Sequence, residues 1–210
     1  MMQASVLSGL KYALHIMVHP FDGFYDMRHE KRGNLVATLI IYLAFIESVL
    51  LMQQYGGFLM YDYDPRSYNV LRSIMTVVLP IILFCIANWS FTALTDGEGR
   101  FIDIVMALGY ALLPMAITNL IGTLLSNVVI ENEIDFVNMV FGIGAVWSAF
   151  LIFTGILTIH QFTVKKTLFT LIITGFGMVF IVFLALLFGS IIDKLIGFIS
   201  GLVTEIRLRS

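Results

Sequence analysis

Residues Asn88–Phe101 read "NWSFTALTDGEGRF", and they interrupt a long apolar run on each side with two glycines, two acids and an arginine. A Gly-x-Gly beside charge is either a phosphate cradle or a tight turn at a membrane surface. The surroundings decide between them. The chain has 210 residues, 59% hydrophobic and 12% charged, with a mean hydropathy of +0.95. Soluble domains carry roughly twice that charge fraction. The composition therefore predicts an all-α integral membrane protein built as one bundle. The formal net charge of −2 offers no basic field to nucleic acid. The single cysteine, Cys85, lies in an apolar run and cannot form an internal disulfide. Residues Met1–Leu10 lack the charge, apolar core and cleavage site of a signal peptide, so the first membrane helix is expected to direct its own insertion.

A spanning helix needs about 20 mostly apolar residues. Five runs qualify: Leu35–Met52, Ile74–Ala93, Ile104–Val129, Val137–Ile159 and Leu168–Ile192. This divides the chain into an amphipathic segment (1–33), a five-helix membrane domain (34–192) and a C-terminal interfacial amphipathic helix (193–210). In that tail Ile192, Leu195, Ile196, Ile199, Leu202, Val203 and Ile206 recur at the spacing of one helical face. With the N-terminus cytoplasmic, Lys11, Arg28, Lys31, Arg32, Arg100, Lys165 and Lys166 flank the spans inside, against Arg66 and Arg72 outside. Five spans then put the C-terminus outside, where Lys194, Arg207 and Arg209 weaken the bias. The opening stretch becomes an inner turn. A phosphate cradle needs a strand before its glycines, and here a membrane helix precedes them. Gly97 and Gly99 are expected to supply positive φ, Asp96 a cap and Arg100 an anchor.

At "TDGEGRF" and the following "ALGYALLP" (Ala107–Pro114) the chain resembles the Yip family of Ypt/Rab-interacting membrane proteins, and most of all its short prokaryotic relatives. Gly109-Tyr110 with Pro114, the five spans and "HPFDGFYDMRHEKRG" ahead of the first span carry the resemblance, which covers nearly the whole chain. The Asp-Leu-Tyr-Gly-Pro motif of eukaryotic members is missing, as is their longer N-terminal region. The resemblance thus implies a prokaryotic plasma membrane and a non-enzymatic factor acting through other membrane proteins.

Several residues could carry chemistry. Glu47 is an acid well inside a span, a functional candidate by position. Asn119 on the third span has a matching depth, and the simpler reading is a buried, hydrogen-bonded Glu47. Pro80 and Pro114 free carbonyls at Thr76 and Tyr110; such breaks serve transporters but are also plain kinks. His15 and His19 are four apart, and Asp22, Asp26 and Glu30 follow at four-residue steps of their own, but Pro20 interrupts the series and no metal-binding motif is present. Phe21, Phe24, Tyr25 and Arg28 are read instead as a basic aromatic segment on the inner leaflet, docking membrane or partner. Leu195, Ile199, Leu202 and Ile206 are the docking residues of the tail. His160 reads as a surface anchor, Cys85 as packed or facing lipid. Small residues on the fourth span (Gly144, Ser148; Ala145, Ala149) and the fifth (Gly175, Gly177) suit close helix packing or a homo-oligomer. No enzyme signature, cofactor motif or metal site is found.

The expected function is a polytopic scaffold or accessory factor in the bilayer that binds other integral membrane proteins, such as a transport complex. The alternative is a small transporter or channel using Glu47 and the two proline breaks. A water-accessible cavity reaching Glu47 would mark the alternative.

Overall fold

The computed structural model describes residues 2–60 and 69–209. The outer loop "YDYDPRSY" with Arg66 lies outside the described residues, as do the side chains of Leu202 and Ile206. Among the described residues there is no strand. Two short helices come first, α1 (Met2–Val18) and α2 (Pro20–His29). Pro20 opens α2 where a missing N–H costs nothing, and it turns His19 out of the helix (φ −124°, ψ 72°). The two helices therefore fold back on one another. Gly23 allows the close approach: a Cβ there would stand 2.8 Å from Ile16 Cγ1.

Next come α3 (Leu35–Tyr55), α4 (Val70–Leu94), α5 (Phe101–Ala111), α6 (Leu113–Ser126), α7 (Ile134–His160) and α8 (Val164–Arg209). Asn34 caps α3 by accepting from the amides of Val36 (2.9 Å) and Ala37 (3.2 Å). Among the described residues, five helical stretches are long and apolar enough to cross a membrane: α3, α4, α5 with α6, the turn Glu131–Glu133 with α7, and α8 as far as Gly201. The third stretch bends at Leu112, because Pro114 cannot donate into the helix. The neighbouring Met115 N–H donates across the interface to Ser148 Oγ on α7 (3.2 Å). Pro80, by contrast, sits inside an unbroken α4.

α3, α5, α6 and α7 form the centre, with Ile41, Phe45, Ile104, Tyr110, Leu151 and Ile156 in its core. Gly144 and Ser148 bring α7 onto α6, where a Cβ at Gly144 would meet Thr118 Oγ1 at 1.7 Å. Ala145 and Ala149 face outward. α4 and α8 pair at the periphery through a buried bond from Asn88 Nδ2 to Thr174 Oγ1 (3.0 Å), with Gly177 resting on Ala87. Gly175 faces open space.

The sequence reading needs two changes here. No separate interfacial helix forms at 193–210. The fifth span and the tail are one helix of 46 residues, about 69 Å long, against a hydrocarbon core of about 30 Å. Asp193 and Lys194 change the face pattern but supply no stop, and no proline follows them. From Ile191 on, every described side chain of α8 is exposed. Nor does the amphipathic N-terminal segment stand apart from the bundle. Ala13 and Ile16 of α1, with Phe24 and Met27 of α2, are buried in the common core.

Candidate functional site

Gly97 and Gly99 are not there for backbone freedom, since neither has a positive φ. The left-handed residue is Asp96 (φ 55°), which ends α4 while the Gly97 N–H reaches back to Thr92 O (2.9 Å). The glycines make room for His160. A Cβ at Gly97 would lie 2.6 Å from its Nδ1, and one at Gly99 would lie 2.8 Å from its Cε1. The Gly99 N–H donates to His160 Nδ1 (3.2 Å). That fixes the ring as an acceptor there and leaves the proton on Nε2. His160 is 1% exposed, so it is a core residue of this turn and not a surface anchor. A phosphate cradle is excluded on the same geometry, because both glycine amides are spent inside the protein.

Other side chains converge on the turn. Arg28 of α2 donates to the Ile159 carbonyl at the end of α7, to the Glu98 carbonyl (3.1 Å) and to the Glu98 carboxylate (2.9 Å). Lys166 donates to the Thr95 carbonyl (2.6 Å) and lies 3.9 Å over the Phe162 ring. Both cations thus meet carbonyls at helix C-termini, where partial negative charge gathers. Arg100 forks onto Asp103 at 3.1 Å through each of two nitrogens, and this bond raises its pKa further above the ordinary value. Asp103 also accepts the Arg100 N–H (3.0 Å), closing the first turn of α5. This basic end ties α2, the turn, α5, α7 and α8 together.

The proposed docking residues divide. Phe24 is fully buried against Gly155, and Arg28 belongs to the knot just described. Phe21 and Tyr25 are 53% and 50% exposed, Phe21 edge-on to Phe150 and Tyr25 stacked on His29. Leu195 and Ile199 are exposed on α8. Cys85 is packed in the core.

Glu47 is not the buried acid that the sequence suggested. It faces outward from α3, and Asn119 bonds the neighbouring Ser48 instead (Nδ2 to Oγ, 3.3 Å). One residue of helix rotation separates the two outcomes. Pro80 and Asn119 border a cleft of about 430 Å³ between α3, α4 and α6. Apart from Thr76 and Asn119 its lining is apolar, and Glu47 is not on it. Asn119→Leu is therefore expected to cost about 1 kcal/mol, while Glu47→Gln leaves bundle stability unchanged. Thermal unfolding of both variants in detergent checks this.

Sequence reasoning placed His160 wrongly, at the surface, and missed Ser48 and the Asn88–Thr174 clasp. Gly99 and His160 are 61 residues apart, and no local pattern links them. Polar residues in spans (Ser48, Asn88, Thr174) were the available signal, since hydrocarbon forces each to find a partner. Gly109 and Tyr110 have a clear structural role. A Cβ at Gly109 would stand 2.4 Å from Thr38 Cγ2, and Tyr110 Oη accepts from the Asn34 N–H (3.0 Å). Together they seat α5 on the start of α3.

A family model described as the Yip1 domain matches residues 14–187. No curated protein and no solved structure matches the chain.

Proposed function

Because the chain belongs to the Yip1 family, we propose that this integral membrane protein is a non-catalytic scaffold or accessory factor that binds other integral membrane proteins, such as a transport complex, in a prokaryotic plasma membrane. The observation that carries the reading is α8. Among its described residues, Ile191, Ile192, Leu195, Ile196, Phe198 and Ile199 are large apolar side chains left exposed. Phe21 and Tyr25 add an aromatic patch at the other end of the chain, and aromatic side chains are common interface anchors. The transporter alternative draws no support from the cleft, whose lining carries no charge.

Affinity purification in mild detergent tests the reading. The full chain is expected to bring down a defined membrane protein. Phe21→Ala with Tyr25→Ala, or removal of Gly197–Ser210, is expected to reduce that recovery while the bundle still inserts. Solute movement by the purified protein alone in proteoliposomes, abolished by Glu47→Gln, would overturn it.

The reading includes a topology with the basic end cytoplasmic and the C-terminus outside. In a Cys85→Ala background, Glu98→Cys is expected to react with an impermeant thiol reagent only from the cytoplasm. Asn132→Cys is expected to react only from outside. The reverse pattern would invert the assignment.

A further inference from the structure

The α1–α2 hairpin reaches far into the bundle. Trp147 lies about 20 Å along α7 from the basic end at His160, and Pro114 lies about 20 Å along the third span from Phe101. Met17 and Val18, at the tip of the hairpin, border one cleft with both, and Trp147 Nε1 donates to Met17 O (3.2 Å). Both limbs return to the basic end. Gly9 of α1 abuts Asn34 at the start of α3, and Arg28 of α2 bonds Ile159 and Glu98. The hairpin thus runs from the basic end to the middle of the third and fourth spans, turns there and returns to the same end.

Its inward face is apolar, through Ala13, Ile16, Phe24 and Met27. Its outward face is mixed: His15, His19, Asp22 and His29 are exposed, with Lys11 at the foot, among the exposed Leu14, Val18, Phe21 and Tyr25. The His15 and His19 rings stack at 5.1 Å. Hydrocarbon does not solvate such groups, and their unpaired burial there is costly. The polar part of the face carries both signs of charge, through Lys11 and Asp22, which complements a zwitterionic headgroup.

We propose that phospholipid headgroups of the leaflet at the basic end sink along this face as far as the tip, with phosphates against Lys11 and the imidazoles and amines against Asp22. The hairpin then thins that leaflet locally. The scaffold reading uses Phe21 and Tyr25 of the same hairpin, and the test with this chain alone in vesicles keeps the two readings apart.

The test uses the full chain with Cys85→Ala in phosphatidylcholine vesicles. A bimane is placed on Val18→Cys or on Leu43→Cys, which are 64% and 65% exposed in the parent chain. Leu43 stands at the height of Val18, since Thr38 lies against Gly109 and Leu43 is about 7 Å further along α3. Lipids bearing a nitroxide on the headgroup are expected to quench the Val18 probe several-fold more than the Leu43 probe. His15→Leu, His19→Leu and Asp22→Leu together are expected to remove the excess. Trp147→Phe is expected to brighten the Val18 probe, which places the hairpin in its docked position during the measurement. Headgroup quenching at Val18 no greater than at Leu43 would overturn the proposal, whether chain-labelled lipids quench there or not. An excess that survives the triple leucine variant, or that comes with no effect of Trp147→Phe, would overturn it equally.

Discussion

Gly144→Val is expected to destabilise the bundle by about 3 kcal/mol, the upper end for overpacking a filled interior. Even one added carbon at Gly144 would overlap Thr118, with Oγ1 at 1.7 Å and Cβ at 2.7 Å. A rotamer change moves the hydroxyl but not Cβ, so α6 and α7 must separate. Separation also breaks the bond from the Met115 N–H to Ser148 Oγ, and hydrocarbon offers that amide no other acceptor. Unfolding in mixed micelles measures the loss. Thr118→Ala in the same chain is expected to recover part of it, because residues in direct contact do not contribute additively. Full additivity would show that the two helices do not meet as described.

Arg28→Ala is expected to cost about 2 kcal/mol, chiefly because it strips a charged donor from the part-buried Ile159 carbonyl. The pair with the exposed Glu98 carboxylate adds little. The Arg28 side chain is 16% exposed. The consequence reaches beyond stability, because Arg28 is the bolt that fastens α2 to the end of α7. A disulfide between Phe21→Cys and Phe150→Cys, whose parent rings are 6.5 Å apart, reports whether the hairpin is seated. Its yield in a Cys85→Ala background is expected to fall in the Arg28→Ala variant. Arg28→Lys is expected to restore only part of the yield, because an ammonium lacks the planar fork that serves two acceptors at once.

The five crossings and their order were legible because hydrocarbon admits few backbone solutions, and a run such as Leu35–Tyr55 reads as a helix at sight. The bend at Pro114 and the close face at Gly144 were legible for similar reasons, each resting on one residue's covalent geometry. Orientation about a helix axis was not. Glu47 and Ser48 are neighbours, yet one faces out and the other holds Asn119, and α3 is too uniformly apolar to mark a face. The roles of Gly97 and Gly99 were hidden for another reason. A glycine enlists for backbone freedom or for space, and only the position of His160 separates the two. The tail misled because amphipathic spacing describes a face and says nothing about where a helix bends.

The clasp between α4 and α8 has a consequence for biosynthesis. Asn88 and Thr174 are 86 residues apart, so α4 leaves the ribosome long before its main neighbour exists. Until then its buried amide has no Thr174 to reach, and its side toward Gly177 lies open to lipid or to the insertion machinery. The second crossing to be made is thus locked in place by the last, and a ribosome stalled before Val164 would hold a chain whose central helices can pack while α4 still waits at the edge.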